Sequence, residues 1–359
     1  MAFQYVLVKN SGRGRGYLPT IMPEASYFAV DTGLVFLWIG NIESCIFTIF
    51  CGCMIMSLTY NFMKLLGRVS CSLSEKNAQR MGNYLGAFFW MLVPPKRKKL
   101  AINNIIRCGI TDNEKEASRI SKAAAVRFGD IGVSMFRFPL LNQDNIKKYV
   151  TIEGKEKLDA IKESKKGCIL AATHCGNWEL EGAALALYGY PLLSVAMKQK
   201  NKGFDQFLCE YRSMPGQTVE YKTGVRDMLR RLKQGYFIGL LCDQDPGDTG
   251  ILSDFMGQKT LTPTGPAHFS LLCKLPVMTA LIHKDGPFHY TIVIGDPIEA
   301  DAGLDKKEAI QNVTDKINIR LEEWIRKYPE EWFWLHNRWK WTDRFYPELK
   351  KGNDHAAKV

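Results

Sequence analysis

The stretch "GCILAATHCGNWELEGAALALYG", Gly167 to Gly189, decides how this chain is read. "GCILAAT" (167–173) is a short apolar run of the length of a buried strand. "NWELEGAALALYG" reads as a helix that ends at Gly189, a residue suited to a helix stop. At the join stand His174, Asn177 and Glu179. A strand that turns at once into a helix is the unit from which parallel sheets are built.

The alternation continues downstream. "YPLLSVAMK", "YFIGLLCDQ", "PVMTALIH" and "HYTIVIGDPI" read as strands. "GVRDMLRRLKQG" (224–235) is a helix with Val225, Met228, Leu229 and Leu232 on one face, and "PAHFSLLCKL" is another. Lys306 to Tyr328 is a long amphipathic helix carrying Ile310, Val313, Ile317, Leu321 and Trp324. Upstream, residues 113–138 place Ala117, Ile120, Ala124 and Phe128 at helical spacing. The expected fold class is α/β: a largely parallel central sheet flanked by helices, with an N-terminal membrane-associated helical segment.

That segment rests on two apolar patches. Ser44 to Met63, "SCIFTIFCGCMIMSLTYNFM", holds no charge and matches a bilayer core in length. It reads either as a membrane-embedded helix or as a buried or interfacial one. "YLGAFFWMLVPP" (84–95) is too short to span, but it runs into Lys96, Arg97, Lys98 and Lys99. Aromatic residues beside a basic cluster suit the headgroup level of a membrane, the competing reading being a core helix followed by a solvated charge run. No small-residue cleavage site follows, so no secretory signal peptide is expected. The same two readings, interfacial or core aromatics, apply to "PEEWFWLHNRWK" (329–340), with Arg338 and Lys340 expected on a solvated face.

Of 359 residues, 48 are Lys or Arg and 37 Asp or Glu, for a net charge of +11. The surplus suits a polyanionic partner. Nucleic acid is not expected, because no helix-turn-helix, RRM or KH signature occurs. The ten cysteines form no CxxC pair and no Cys/His cluster at zinc spacing, so they read as buried free thiols in a reducing compartment, and no metal is expected.

His174 and Asp243 each end a strand, and in open α/β sheets such ends gather the site. Glu179, in the first helical turn after His174, is placed to hold the imidazole by one ring nitrogen and leave the other free as a general base. No Ser or Cys nucleophile sits in an elbow motif, and Cys175 adjoins the His in sequence rather than facing it, so a substrate hydroxyl would be the nucleophile. The helix starting near Asn177 would also offer backbone amides to an anion.

"ATHCGNWE" resembles the His-x4-Asp/Glu block of the lysophospholipid acyltransferase superfamily. The fuller resemblance is to the bacterial lipid A late acyltransferases, the lauroyl and myristoyl transferases. It is carried further by "EYRSMPG", "GVRDMLRRLKQG", "LLCDQDPG", "DFMGQKTLTPTGPA" and "PEEWFWLHNRWK", in order, over roughly Lys96 to Lys340. The resemblance implies a His174/Glu179 catalytic dyad. It implies that Arg212 and Asp243 act in substrate binding, with Gln244 and Asn177 as helpers. It further implies an acyl-carrier-protein thioester as donor, a lipid A precursor or related glycolipid as acceptor, no cofactor, and work at the cytoplasmic face of the bacterial inner membrane. The alternative acceptor is another glycolipid or a lysophospholipid, with acyl-CoA as donor.

The implied organisation is an extension over 1–53 unlike the family, a membrane-associated helical region over 54–95, a catalytic domain over 96–345 and a polar tail over 346–359. Family members begin near a position equivalent to Met54 or Met56, so residues 1–53 are expected to be dispensable.

Overall fold

The computed structural model describes residues 58–349. It opens with helices α1 (58–72), α2 (Glu75–Leu92), α3 (Pro95–Arg107), α4 (Glu114–Phe136) and α5 (Ile146–Tyr149). Strand β1 (Val150–Glu153), α6 (Lys155–Glu163), β2 (Cys168–Ala172), α7 (Trp178–Leu187) and β3 (Leu192–Ala196) follow. Next come α8 (Lys202–Ser213), β4 (Thr218–Tyr221), α9 (Val225–Lys233), β5 (Phe237–Leu241) and a hairpin of β6 (Ile251–Phe255) and β7 (Gln258–Thr262). The chain closes with α10 (Gly265–Cys273), β8 (Val277–Lys284), β9 (Tyr290–Ile294), α11 (Lys306–Lys327) and α12 (Lys340–Phe345).

Seven strands form one sheet in the order β1-β9-β8-β2-β5-β3-β4. All neighbours run parallel except β8 and β9, which are joined antiparallel. The largely parallel sheet is therefore present, and its one reversal falls where two strands follow each other with only a short connection.

Strand β2 is buried along its whole length because both faces are covered. Its odd-numbered Ile169 and Ala171 join one core, with Val313, Leu321 and Trp324 of α11. Its even-numbered Cys168 and Leu170 join the other, with Leu180, Ala184 and Leu185 of α7. Helix α2 lies against α4 through glycine: a Cβ on Gly86 would meet the Val126 carbonyl oxygen at 1.8 Å.

The elements not anticipated share a cause. Strand β4 is four half-buried residues at the sheet edge and has no apolar run. The β6–β7 turn uses Met256 and Gly257, both at positive φ, in place of the Asn-Gly pair that marks such turns in sequence. Of the apolar face anticipated on α9, Met228 and Leu232 are buried, whereas Val225 is exposed.

Among the described residues no helix is long and apolar enough to cross a membrane. The apolar stretch 44–63 lies outside them up to residue 57, as does all of the 1–53 extension. Tyr84 to Leu92 is the last part of α2, Val93 and Pro94 join it to α3, and Lys96 to Lys99 follow Pro95 at the start of α3. Leu58, Phe62, Leu65 and Val69 on α1, and Tyr84, Phe88, Met91 and Leu92 on α2, are exposed.

Candidate active site

Strands β2 and β5 pair in register, Ala172 beside Leu241, so the residues just past their ends come together. Those residues are Thr173 and His174 on one side, Cys242 and Asp243 on the other. The chain turns away after His174 through Gly176, at φ +76°, where a Cβ would meet the Ile282 carbonyl oxygen at 2.0 Å. Only glycine fits there.

Asp243 is fully buried and accepts four hydrogen bonds. Its Oδ1 takes the His174 Nδ1 at 2.8 Å; its Oδ2 takes the His174 amide and the Thr173 hydroxyl, each at 2.9 Å, and the Trp332 indole at 2.6 Å. Burial alone pushes the carboxyl pKa up, but the charge of His174 and these hydrogen bonds outweigh it and hold Asp243 far below the ordinary carboxylate value. A fixed carboxylate on Nδ1 keeps the proton there and leaves Nε2 as the basic nitrogen. The His174 side chain is 18% exposed, and its ring meets the edge of Trp178 at 5.1 Å.

The carboxylate on the imidazole is thus Asp243's, where Glu179 was expected. Glu179 instead receives the Arg212 guanidinium in a two-pronged pair, Nε to Oε2 at 2.8 Å and Nη2 to Oε1 at 2.7 Å. The reason is geometric. Asp243 arrives on the neighbouring strand, level with His174, while Glu179 sits on the first turn of α7 facing the last turn of α8. Sequence distance favoured Glu179, whereas strand pairing favours Asp243.

Asn177 is the N-cap of α7, its Oδ1 accepting from the Leu180 amide at 3.0 Å. One of the amides expected to serve an anion is therefore already held. Gln244 follows Asp243 in the turn and is half-buried. Cys175 is fully buried and its thiol pKa is pushed well up by burial, which suits packing rather than a thiolate nucleophile.

Sequence reasoning missed the role of the segment 332–341. Trp332 donates to Asp243, His336 Nε2 accepts from the Asp245 amide at 3.1 Å, and the Trp341 amide donates to Asp245 Oδ2 at 3.0 Å. Burial drives the His336 pKa down to about 4, which suits an acceptor nitrogen. Arg338 does not face solvent: it is 1% exposed and donates to the Leu261 carbonyl and to the Thr260 and Thr262 hydroxyls. Burial lowers its pKa to about 10. The density of Trp and His in "PEEWFWLHNRWK" was the available signal for this strap.

Residues 52–341 match the family model described as bacterial lipid A biosynthesis acyltransferase. A phosphatidylinositol mannoside acyltransferase of Mycobacterium tuberculosis is 24% identical over 225 residues, 60% of this chain and 69% of its own. The lipid A biosynthesis lauroyltransferase of Escherichia coli is 23% identical over 253 residues, 68% of this chain and 79% of its own. The palmitoleoyltransferase of the same organism is 20% identical over 251 residues, with the same coverage.

Proposed function

Because the chain belongs to the bacterial lipid A biosynthesis acyltransferase family, we propose that it moves a fatty acyl chain from an acyl-carrier-protein thioester to a hydroxyl of a membrane glycolipid. The work is done at the cytoplasmic face of the inner membrane. The carrying observation is the His174–Asp243 contact at the paired strand ends.

His174 Nε2 takes the proton from the acceptor hydroxyl as its oxygen attacks the thioester carbonyl. Asp243 holds the ring and stabilises the imidazolium that forms. The tetrahedral intermediate then expels the thiolate, which recovers the proton from His174. A positioned base of this kind contributes about 10²- to 10⁴-fold, and a donor to the developing oxyanion about 10²- to 10³-fold. Arg212, oriented by Glu179, is the cation for that charge or for an acceptor phosphate. The thioester is already activated, so the chain's own residues suffice for the proton transfers.

The acceptor approaches from a lipid surface. The exposed apolar residues of α1 and α2 supply the face. From Phe89 a line of rings leads inward: Phe89 to Phe128 at 5.8 Å, Phe128 to Trp178 at 5.7 Å, Trp178 to His174 at 5.1 Å. Lipid chains can lie along this wall while the hydroxyl reaches the base.

Two acceptors follow from the relatives. The lipid A enzymes point to a lipid A precursor, and the mannoside enzymes, matched at comparable identity, to a mannosylated phospholipid. Incubation of the purified protein with an acyl-carrier-protein thioester and each glycolipid, read by mass spectrometry, tests the reading. It requires one glycolipid to gain a single acyl mass. No acyl gain on either, with intact protein and donor, would contradict it.

A further inference from the structure

Beneath the Glu179–Arg212 pair lies a cavity of about 70 Å³ between α7 and the sheet. Its floor follows from strand register. Gly239 of β5 pairs with Leu170 of β2 on one side and Ser194 of β3 on the other. The missing side chain at Gly239 leaves the space: a Cβ there would come no closer than 3.8 Å to any neighbour. Leu185, Leu192 and Leu241 supply aliphatic wall.

Two polar groups in this lining lack partners. Glu181 is 5% exposed, and its Oε2 finds no hydrogen bond among the described residues. Gln217 is 6% exposed; its Oε1 accepts from the Ser194 hydroxyl at 2.6 Å, but its Nε2 finds nothing. Gln217 lies against Gly182, the residue after Glu181. Burial raises the Glu181 pKa well above the ordinary range, which favours its uncharged form. Buried polar groups left unpaired are destabilising, and they are uncommon without a purpose.

We propose that this cavity is a binding site for an alkyl chain that carries a hydroxyl group, and that Glu181 and Gln217 select that hydroxyl. Its oxygen accepts from Gln217 Nε2 and its hydrogen goes to Glu181, so one group satisfies both. The leucines sheath the flanking methylenes. An anionic group is a poor occupant, because the leucine-lined cavity would strip it of water without offering a buried cation of its own. Trp178, Glu179 and Arg212 also line the cavity, so it adjoins the reacting end. The chain's place in acyl transfer rests on the reading above, whereas the binding itself does not.

The test therefore measures binding alone. Calorimetry would compare N-acetylcysteamine thioesters of one plain acyl chain and of its isomers bearing a single hydroxyl at successive positions. A parallel set of acyl glucosides separates a donor chain from an acceptor chain. One hydroxylated isomer should bind about tenfold more tightly than the plain chain, the worth of one to two net hydrogen bonds. Glu181→Leu and Gln217→Leu should each erase that preference without weakening the plain chain, while neutral Glu181→Gln should keep most of it. Gly239→Val should block both chains. Glu181→Leu should also melt no lower than wild type, since it removes an unpaired acid, and this separates lost binding from lost folding. Equal affinity for all isomers, a preference that survives Glu181→Leu, or no binding of any chain, as a cavity filled only by water would give, each overturns the proposal.

Discussion

Two segments of this chain share a feature, aromatic residues running into basic ones, and have opposite fates. In "YLGAFFWMLVPPKRKK" (84–99) Tyr84, Phe88, Met91 and Leu92 are exposed. In "PEEWFWLHNRWK" (329–340) Trp332, Trp334, Arg338 and Trp339 are at most 3% exposed. The difference lies in what each polar group can reach. Arg338 finds three oxygens on β7, and Trp332 finds the Asp243 carboxylate. The basic residues after α2 meet a thinner frame among the described residues: Lys98 lies over the Trp90 ring at 4.7 Å, and Arg97 donates to the Leu335 carbonyl at 3.4 Å. Composition sets what a segment can do at an interface, and the hydrogen-bonding partners set whether it becomes one.

The largest expected effect tests the buried member. Arg338→Ala removes the buried guanidinium that donates to the Leu261 carbonyl and to the Thr260 and Thr262 hydroxyls, and it opens a void beside Phe255, so unfolding free energy should fall by about 3–5 kcal/mol, read from denaturant melts. A loss under about 1 kcal/mol would mean that Arg338 is as dispensable as a surface cation.

The exposed member should behave in reverse. Phe88→Ser, Met91→Ser and Leu92→Ser together should shift stability little, since surface changes stay within about 0.5 kcal/mol each. Binding to neutral liposomes should fall on the order of 10²-fold or more, because each apolar side chain is worth about 1.5–3 kcal/mol when fully buried. Unchanged liposome binding would make this face an ordinary surface.

His336 sharpens the comparison through pH. Its folded pKa, about 4, lies below the ordinary value of 6.5, so the unfolded chain binds the extra proton first. The stabilisation it contributes is present above pH 6.5 and is lost as pH falls toward 4, on the order of 2 kcal/mol after allowance for partial exposure. His336→Gln should flatten that part of the stability profile. The smallest effect is electrostatic. Gln at Lys96, Lys98 and Lys99 should weaken binding to anionic vesicles by about 1 kcal/mol per charge at most, and reduce its salt dependence.

The strand–helix alternation was legible because buried parallel strands are short apolar runs bounded by turn residues, as in "GCILAAT". Strand β4 and the β6–β7 hairpin were not, since edge strands bury too little to carry a pattern and Met256-Gly257 is not a marked turn. Within the site, all of His174, Glu179, Arg212 and Asp243 were named, but their pairing was not. Pairing depends on strand order, and nothing local tells that β5 lies beside β2. The burial of Arg338 was hidden for a similar reason, because its partners are more than seventy positions away.

The central claim is that His174 and Asp243 act as one unit in proton transfer. Single-turnover acyl transfer by His174→Ala, Asp243→Asn and the double variant tests it most directly. Each single change should lower the rate by about 10²- to 10⁴-fold, and the double variant should be no slower than His174→Ala alone, since Asp243 works only through the ring. Near wild-type turnover in Asp243→Asn, or losses that multiply in the double variant, would contradict it.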